Sequence, residues 1–306
     1  METPVNDDDL DRAAEILRAG GLVAFPTETV YGLGANALDR QAVLRIYAAK
    51  GRPSTSPLIV HVSEFAMLNA VVETWPAAAQ QLARHFWPGP LTLVVKKHDN
   101  VPAEVTAGLG TVGVRMPAHP IANELIRRAG IPVAAPSANR FTQISPTTAE
   151  HVRASLGDRI DMILDGGPTT VGIESTVLSL AEDAPVLLRP GMVSQAAIEA
   201  IIGPVDVSSP VRTREPHAAP GLHVKHYAPR TPFYLLKPGE AVPPGRGKLL
   251  RMPANPQAYA ASLYAELHIA DTEGWDWLAV EEPPPSPEWD AIRDRLRRAS
   301  GPEIRL

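Results

Sequence analysis

The sequence predicts an α/β protein built on a mixed sheet, followed by a second, smaller α/β domain. Three observations carry that expectation. Short apolar runs stop at proline, glycine or a polar loop, helical repeats fall between them, and the composition changes after residue 207.

Asp7 to Ala19 opens the pattern as a helix: Asp7, Asp8 and Asp9 offer N-caps, and Leu10, Ala13, Ala14 and Leu17 recur at helical spacing before Gly20 and Gly21. Leu22 to Phe25 reads as a short buried strand stopped by Pro26. Similar strands fall at Leu58 to Val62, Leu91 to Val95 and Val112 to Met116. Helices at Ala42 to Ala49, Ala77 to Phe86 and Ile121 to Ala129 separate them, the last closed by Gly130. Ser145-Pro146 reads as a further helix start, with serine as N-cap and proline at the first helical position, running to Leu156. Strands follow at Asp161 to Leu164, Ser175 to Leu180 and Val186 to Leu188, and the first domain, residues 1–207, is expected to end there.

Beyond it the chain is built differently, since 15 of its 32 prolines lie from Pro210 onward. Residues 208–230 read as a linker and 231–306 as a small α/β domain. Its strands are expected at Phe233 to Leu236, Lys248 to Met252 and Trp275 to Val280, and its helices at Gln257 to Leu267 and Trp289 to Ala299. Arg293, Arg295, Arg297 and Arg298 on the last helix alternate with Asp290 and Asp294, which predicts a solvated face rather than an RNA-binding one.

Composition removes whole classes of function. A chain of 306 residues, 44% hydrophobic, buries a sizeable core. With no cysteine it has no thiol nucleophile, disulfide or cysteine-held metal, and it suits a reducing cytosol. Met1 to Leu10 carries four acids and no apolar secretory core, and no apolar run approaches the ~20 residues of a membrane span. A net charge of −5 argues against a surface built to hold a long nucleic acid. The expectation is a cytoplasmic protein without membrane contact, with tRNA binding weak at most.

Four segments gather polar and cationic groups where α/β proteins bind ligands, in loops after strands. Pro26 to Gly34 holds two hydroxyls, an acid and two glycines, but lacks the third glycine of a dinucleotide fingerprint, and a plain turn would want the same glycines. Lys50 to Pro57 begins within a stretch, Arg40 to Arg52, that has four basic residues and no acid. It suits a triphosphate, or else is a solvated basic loop; His61 on the following strand reads alone as a satisfied strand histidine. Arg115 interrupts an apolar strand and must meet an acid, whether a ligand carboxylate or a structural partner. Ala134 to Asn139 leaves a buried strand with a hydroxyl and an amide, and Ser137 lacks the elbow of a hydrolase nucleophile.

Taken together these segments resemble the threonylcarbamoyl-AMP synthases of the YrdC-like fold. The resemblance rests on Pro-Thr-Glu-Thr-Val-Tyr-Gly-Leu-Gly at 26–34, Lys-Gly-Arg-Pro at 50–53, Gly-Val-Arg-Met-Pro at 113–117 and Pro-Ser-Ala-Asn at 136–139. Ser-Pro-Thr-Thr-Ala at 145–149, Glu-Ser-Thr-Val at 174–177 and Arg-Pro-Gly at 189–191 follow in family order, and residues 219–229 are similar to the family's long-form linker. It implies a twisted mixed sheet flanked by helices, and an enzyme that joins L-threonine, bicarbonate and ATP as threonylcarbamoyl-adenylate for a downstream transferase acting on tRNA. By the same resemblance Thr29, His61, Arg115 and Ser175 would hold threonine, and Arg52, Ser56, Thr111, Ala135, Ser137, Ser145, Arg189 and Tyr227 would hold ATP. Lys50, Arg52 and Asn139 would assist at the phosphates, with Mg2+ carried on ATP and no protein-held metal. The linker, through His223, Lys225, His226 and Tyr227, would close over the site. Other expectations stay open at this stage: an RNA-binding module, a different carbamoyl transferase, or an ATP-binding regulator without turnover.

Overall fold

The computed structural model describes residues 5–207 and 226–300. The first part runs α1 (Asp7–Arg18), β1 (Val23–Pro26), β2 (Tyr31–Asn36), α2 (Arg40–Lys50), β3 (Ile59–His61), α3 (Ala77–Phe86), β4 (Leu91–Lys96) and the single turn α4 (Ala103–Thr106). It continues through β5 (Thr111–Arg115), α5 (Pro120–Ala129), β6 (Val133–Ala134), α6 (Ala149–Leu156), β7 (Met162–Ile163), β8 (Thr176–Ser179), β9 (Val186–Arg189), α7 (Gln195–Ile202) and β10 (Asp206–Val207). All ten strands form one mixed sheet in the order β10-β9-β8-β4-β5-β3-β6-β2-β1-β7.

Alternation along β1 divides the core. Val23 and Phe25 pack with Leu10, Leu17, Leu125 and Ile126 of α1 and α5, whereas Leu22 and Ala24 join the cluster on the opposite face with Ile46 and Leu82. One register matters for function: β3 and β5 are parallel with His61 opposite Arg115, so both side chains leave the same end of the sheet on one face.

Three local expectations change. Asn6, not an aspartate, caps α1, and Asp9 completes a capping box with it; Asp7 and Asp8 lie inside the first turn, where their charge favours the helix dipole. Gly32 and Gly34 belong to β2 and make no turn. A Cβ on Gly34 would lie 2.7 Å from Phe25 and 2.9 Å from Val133, so close packing of β2 requires glycine at 34. The helix expected from Ser145 begins at Ala149, capped by Thr148. Ser145 and Pro146 are drawn elsewhere: the Tyr31 N–H donates to the Pro146 carbonyl (2.9 Å), and the Ser145 hydroxyl to Glu174 (2.6 Å).

The second part comprises β11 (Phe233–Leu236), β12 (Gly247–Leu249), α8 (Pro256–Ala270), β13 (Trp277–Glu281) and α9 (Asp290–Ser300), with a three-stranded parallel sheet ordered β11-β13-β12. The α8 crossover supplies the length that parallel strands require. This part shares a core with the first, because Val30, Ile144, Ile173 and Tyr227 cluster with Tyr264, Leu267, Ile292 and Leu296. The face of α9 is not wholly solvated as expected. Arg295 lies with Ile292, Leu296 and Ala299 on the buried side and is paired with Glu174. Among the described residues no helix is long and apolar enough to cross a membrane.

Candidate active site

A cavity opens where the β1–β2 turn, the ends of β3 and β5, residues 135–137, the start of β8, the end of β9 and Tyr227 meet. At one end the Thr27 hydroxyl ties the turn together. It donates to the Val30 carbonyl (2.6 Å) and accepts from the Thr29 and Val30 N–H groups. Arg115 enters from β5 with Nη2 2.7 Å from Glu28 Oε1, Nη1 donating to Thr29 Oγ1 (3.0 Å) and Nε to the Gly89 carbonyl (3.2 Å). The Ala118 N–H holds the other Glu28 oxygen. Arg115 therefore has its structural acid and still lines the cavity. Beside it, burial and the Arg115 charge push His61 down to about 3, so its imidazole is neutral at physiological pH. His61 Nδ1 has no hydrogen-bond partner among the described residues.

At the other end Arg189 donates to the Ser175 carbonyl (2.9 Å) and hydroxyl (3.2 Å), and the Ser175 hydroxyl also meets Thr92 Oγ1 at 2.8 Å. Gly191 is needed here, because a Cβ would lie 2.6 Å from the Thr176 hydroxyl. Glu174 accepts from Ser145, Tyr264 (3.0 Å) and Arg295 (2.7 Å). Burial raises its pKa, yet the Arg295 and Arg189 charges outweigh burial and hold it below the usual range. Arg52 is buried, not solvated, because Gly51 takes φ 62° at the end of α2 and turns the chain back. Its Nη2 donates to the Ser56 hydroxyl (2.5 Å) and to the Pro57 carbonyl (3.0 Å). Burial, with the Arg189 charge adding to it, pushes Arg52 down to about 10, so it stays cationic at neutral pH.

Of the fourteen candidate residues, nine line this cavity: Thr29, Arg52, His61, Arg115, Ala135, Ser137, Ser175, Arg189 and Tyr227. The others stand behind it or beside it. Lys50 ends a helix rather than following a strand, and its ammonium donates to the carbonyls of Ser137 and Asn139, both at 2.5 Å. Asn139 in turn donates to the carbonyls of Arg140 and Gln143, so these two residues shape the 137–143 loop. Ser56 and Ser145 are held by Arg52 and Glu174. Thr111 lines a second, narrower cleft with Pro57, Leu58, Thr92, Val94, Thr106 and Leu109; Ile59 is common to both. Within the expected linker, 208–225, with His223 and Lys225, lies outside the described residues. Tyr227 and His226 are buried against the site, the Ala228 N–H donating to the Thr142 carbonyl (2.9 Å) and His226 meeting Phe141 edge to face.

Glu174 also lines the cavity and Glu28 stands behind it, paired with Arg115, though neither is among the fourteen. The signal for Glu28 is Arg115 itself, a strand arginine that requires an acid. The signal for Arg295 is its helical spacing from Ile292 and Ala299.

Two family models match consecutive stretches of the chain. The Sua5/YciO/YrdC model, described as telomere recombination, covers residues 15–191, and that of the threonylcarbamoyl-AMP synthase C-terminal domain covers residues 193–301. The chain belongs to the threonylcarbamoyl-AMP synthase family. A threonylcarbamoyl-AMP synthase of Bacillus subtilis is 42% identical, over 99% of this chain and 96% of the relative. That of Pyrococcus abyssi is 52% identical, over 71% of this chain and 64% of the relative. The crystal structure of P. abyssi Sua5 complexed with L-threonine superposes with a TM-score of 0.90 at 38% identity, covering 97% of this chain and 96% of that one. Both the mixed sheet and the small C-terminal domain of this threonylcarbamoyl-AMP synthase family member are thus matched in a solved relative.

Proposed function

We propose that the protein condenses L-threonine, bicarbonate and ATP into threonylcarbamoyl-adenylate and pyrophosphate, supplying the activated group for threonylcarbamoyladenosine modification of tRNA. The observation that carries this reading is the convergence of three buried guanidiniums, Arg52, Arg115 and Arg189, with threonine and serine hydroxyls on one cavity. Such a lining suits a small carboxylate-bearing substrate beside a polyphosphate. The threonine-bound relative supports assigning the amino acid to the Thr29, His61, Arg115 and Ser175 group. ATP falls to Arg52, Ser137 and Arg189, backed by Ser56, Ser145, Lys50 and Asn139. Thr111 borders a narrow cleft with room for about one water, so no base is assigned to it.

In this reading the threonine amine takes up bicarbonate carbon as a carbamate with loss of water. A carbamate oxygen attacks the α-phosphorus, and the bond to pyrophosphate breaks. No enzyme nucleophile is required. His61, held down to about 3, cannot deprotonate an amine of pKa about 8, so it serves as a neutral hydrogen-bond partner. Arg52 and Arg189 would spread the charge that develops on the phosphates. Mg2+ would supply further charge neutralisation on the ATP itself, since Glu174 in the cavity wall and Glu28 behind Arg115 are already bound to arginines. Burial of Tyr227 against the cavity would help keep water from the labile carbamate.

The test is pyrophosphate release from ATP with threonine, bicarbonate or Mg2+ omitted in turn. Release should require all three. Release that persists without threonine would reject the reading in favour of a plain ATP-binding or hydrolysing role.

A further inference from the structure

Helix α9 delivers one charged side chain into the wall behind the cavity. Arg295 is 0% exposed, and its guanidinium is fully engaged. Nε donates to Glu174 Oε2 (2.7 Å), Nη2 to the Glu174 carbonyl (3.1 Å), and Nη1 to the Pro190 carbonyl (3.1 Å) and Asp294 Oδ2 (2.7 Å). From α8 the Tyr264 hydroxyl donates to the same Glu174 oxygen (3.0 Å). Glu174 passes the contact on, its other oxygen accepting from the Ser145 hydroxyl (2.6 Å). Glu174 and Pro190 are the immediate chain neighbours of Ser175 and Arg189, and the Arg295 guanidinium also lies 5.6 Å over the Tyr227 ring.

A tie that only joined two domains could sit anywhere in their shared core, and well-packed apolar residues would serve as well or better. This one grips the backbone on both sides of the phosphate-facing end. We propose that Arg295, supported by Tyr264, is a positioning residue through which the small domain fixes Ser145 and Arg189 and so sets the affinity for ATP. The inference rests on the reading of the site given above. It predicts an asymmetry. Ser175 has a second anchor in Thr92, Thr29 accepts from Arg115, and Arg115 is held by Gly89 and Glu28, so none of these three threonine-facing groups depends on the small domain alone.

The full-length protein and its Arg295→Lys and Tyr264→Phe variants decide the matter. Four quantities are measured: the ATP and threonine KM values in pyrophosphate release, the Kd of a non-hydrolysable ATP analogue, and the thermal midpoint. Lysine keeps the charge but cannot span Glu174 and Pro190 together. Arg295→Lys should raise the ATP KM and the analogue Kd about tenfold, the worth of one charge-assisted hydrogen bond, while threonine KM stays within about twofold and kcat within about threefold. Tyr264→Phe should raise the same two ATP constants about threefold, as loss of one neutral donor. A lowered thermal midpoint with unchanged ATP constants would reduce Arg295 to a structural tie and overturn the proposal. Should Arg295→Lys fail to fold, an unchanged analogue Kd in Tyr264→Phe overturns it equally. If wild-type pyrophosphate release ignores threonine, the functional reading fails, and the ratio of analogue Kd values still decides the role of Arg295. A wild-type protein that binds no analogue rejects both.

Discussion

Two buried arginine–glutamate pairs flank the cavity, and they are built in different ways. Arg115 and Glu28 meet within the first sheet, one from β5 and one from the β1–β2 turn. Arg295 and Glu174 meet across the boundary between the large and small parts of the molecule. The first pair is made within one sheet, although Val30 of the same turn also packs on the small domain. The second makes the opposite end depend on docking of α8 and α9. Under the proposed assignment of the two ends, amino-acid recognition and nucleotide recognition are separable in their structural support, although they share one cavity.

The strongest way to break this contrast is Arg115→Ala. It should raise the threonine KM about a hundredfold and, by leaving Glu28 buried without its partner, cost about 3–5 kcal/mol of stability in denaturant unfolding. A change confined to ATP KM would invert the assignment of the two ends. Arg52→Ala should act at the other end, raising ATP KM about tenfold or more with little effect on threonine, since the guanidinium meets Ser56 and Pro57 and no group of the threonine end. Equal defects for both substrates would remove the division.

The pH dependence of stability sharpens the same comparison, because one side holds the buried His61 and the other the half-buried His268. His61 is pushed down to about 3 by burial and Arg115, and His268 of α8, stacked 3.7 Å from His151, is pushed down to about 4 by burial and His151. Unfolded histidine binds its proton near 6.5, so between about 6.5 and 4 the unfolded chain holds more protons than the folded one. Stability is therefore full above that window and falls as pH drops through it. Thermal midpoints measured across it should decline, and His268→Gln should flatten part of the decline. A flat wild-type profile would contradict the burial of both rings. The smallest effect is expected at Thr142, whose carbonyl holds Ala228 beside Tyr227 while its own φ is 68°. Thr142→Gly should stabilise the fold by up to about 1 kcal/mol in denaturant titration by relieving the left-handed backbone. Destabilisation would mean that the threonine side chain stabilises this turn.

Much of this was legible in the residues. Strands and helices with strong periodicity, such as Ala77–Phe86 and Phe233–Leu236, fall where apolar spacing puts them. What was not legible depends on partners distant in the chain. Lys50 and Arg52 read as a loop cluster open to phosphates, but burial turns Lys50 inward onto two carbonyls, well below its ordinary pKa through burial and the Arg52 charge. Ser145-Pro146 carries a helix-start signature that Thr148 carries equally well, and the demand of Tyr31 for an acceptor decides between them. The charges around Arg295 predict exposure, whereas its position one turn from Ile292 and Ala299 puts it on the apolar face. Composition describes the surface of that helix, and periodicity describes its core.

The central claim, that one cavity joins threonine, carbonate carbon and AMP, is tested most directly by mass spectrometry of the nucleotide formed from ATP, threonine and isotopically labelled bicarbonate. The account predicts an AMP derivative carrying one threonine and one labelled carbon, formed with equimolar pyrophosphate. Free AMP, or a carbamoyl-AMP lacking threonine, would contradict it.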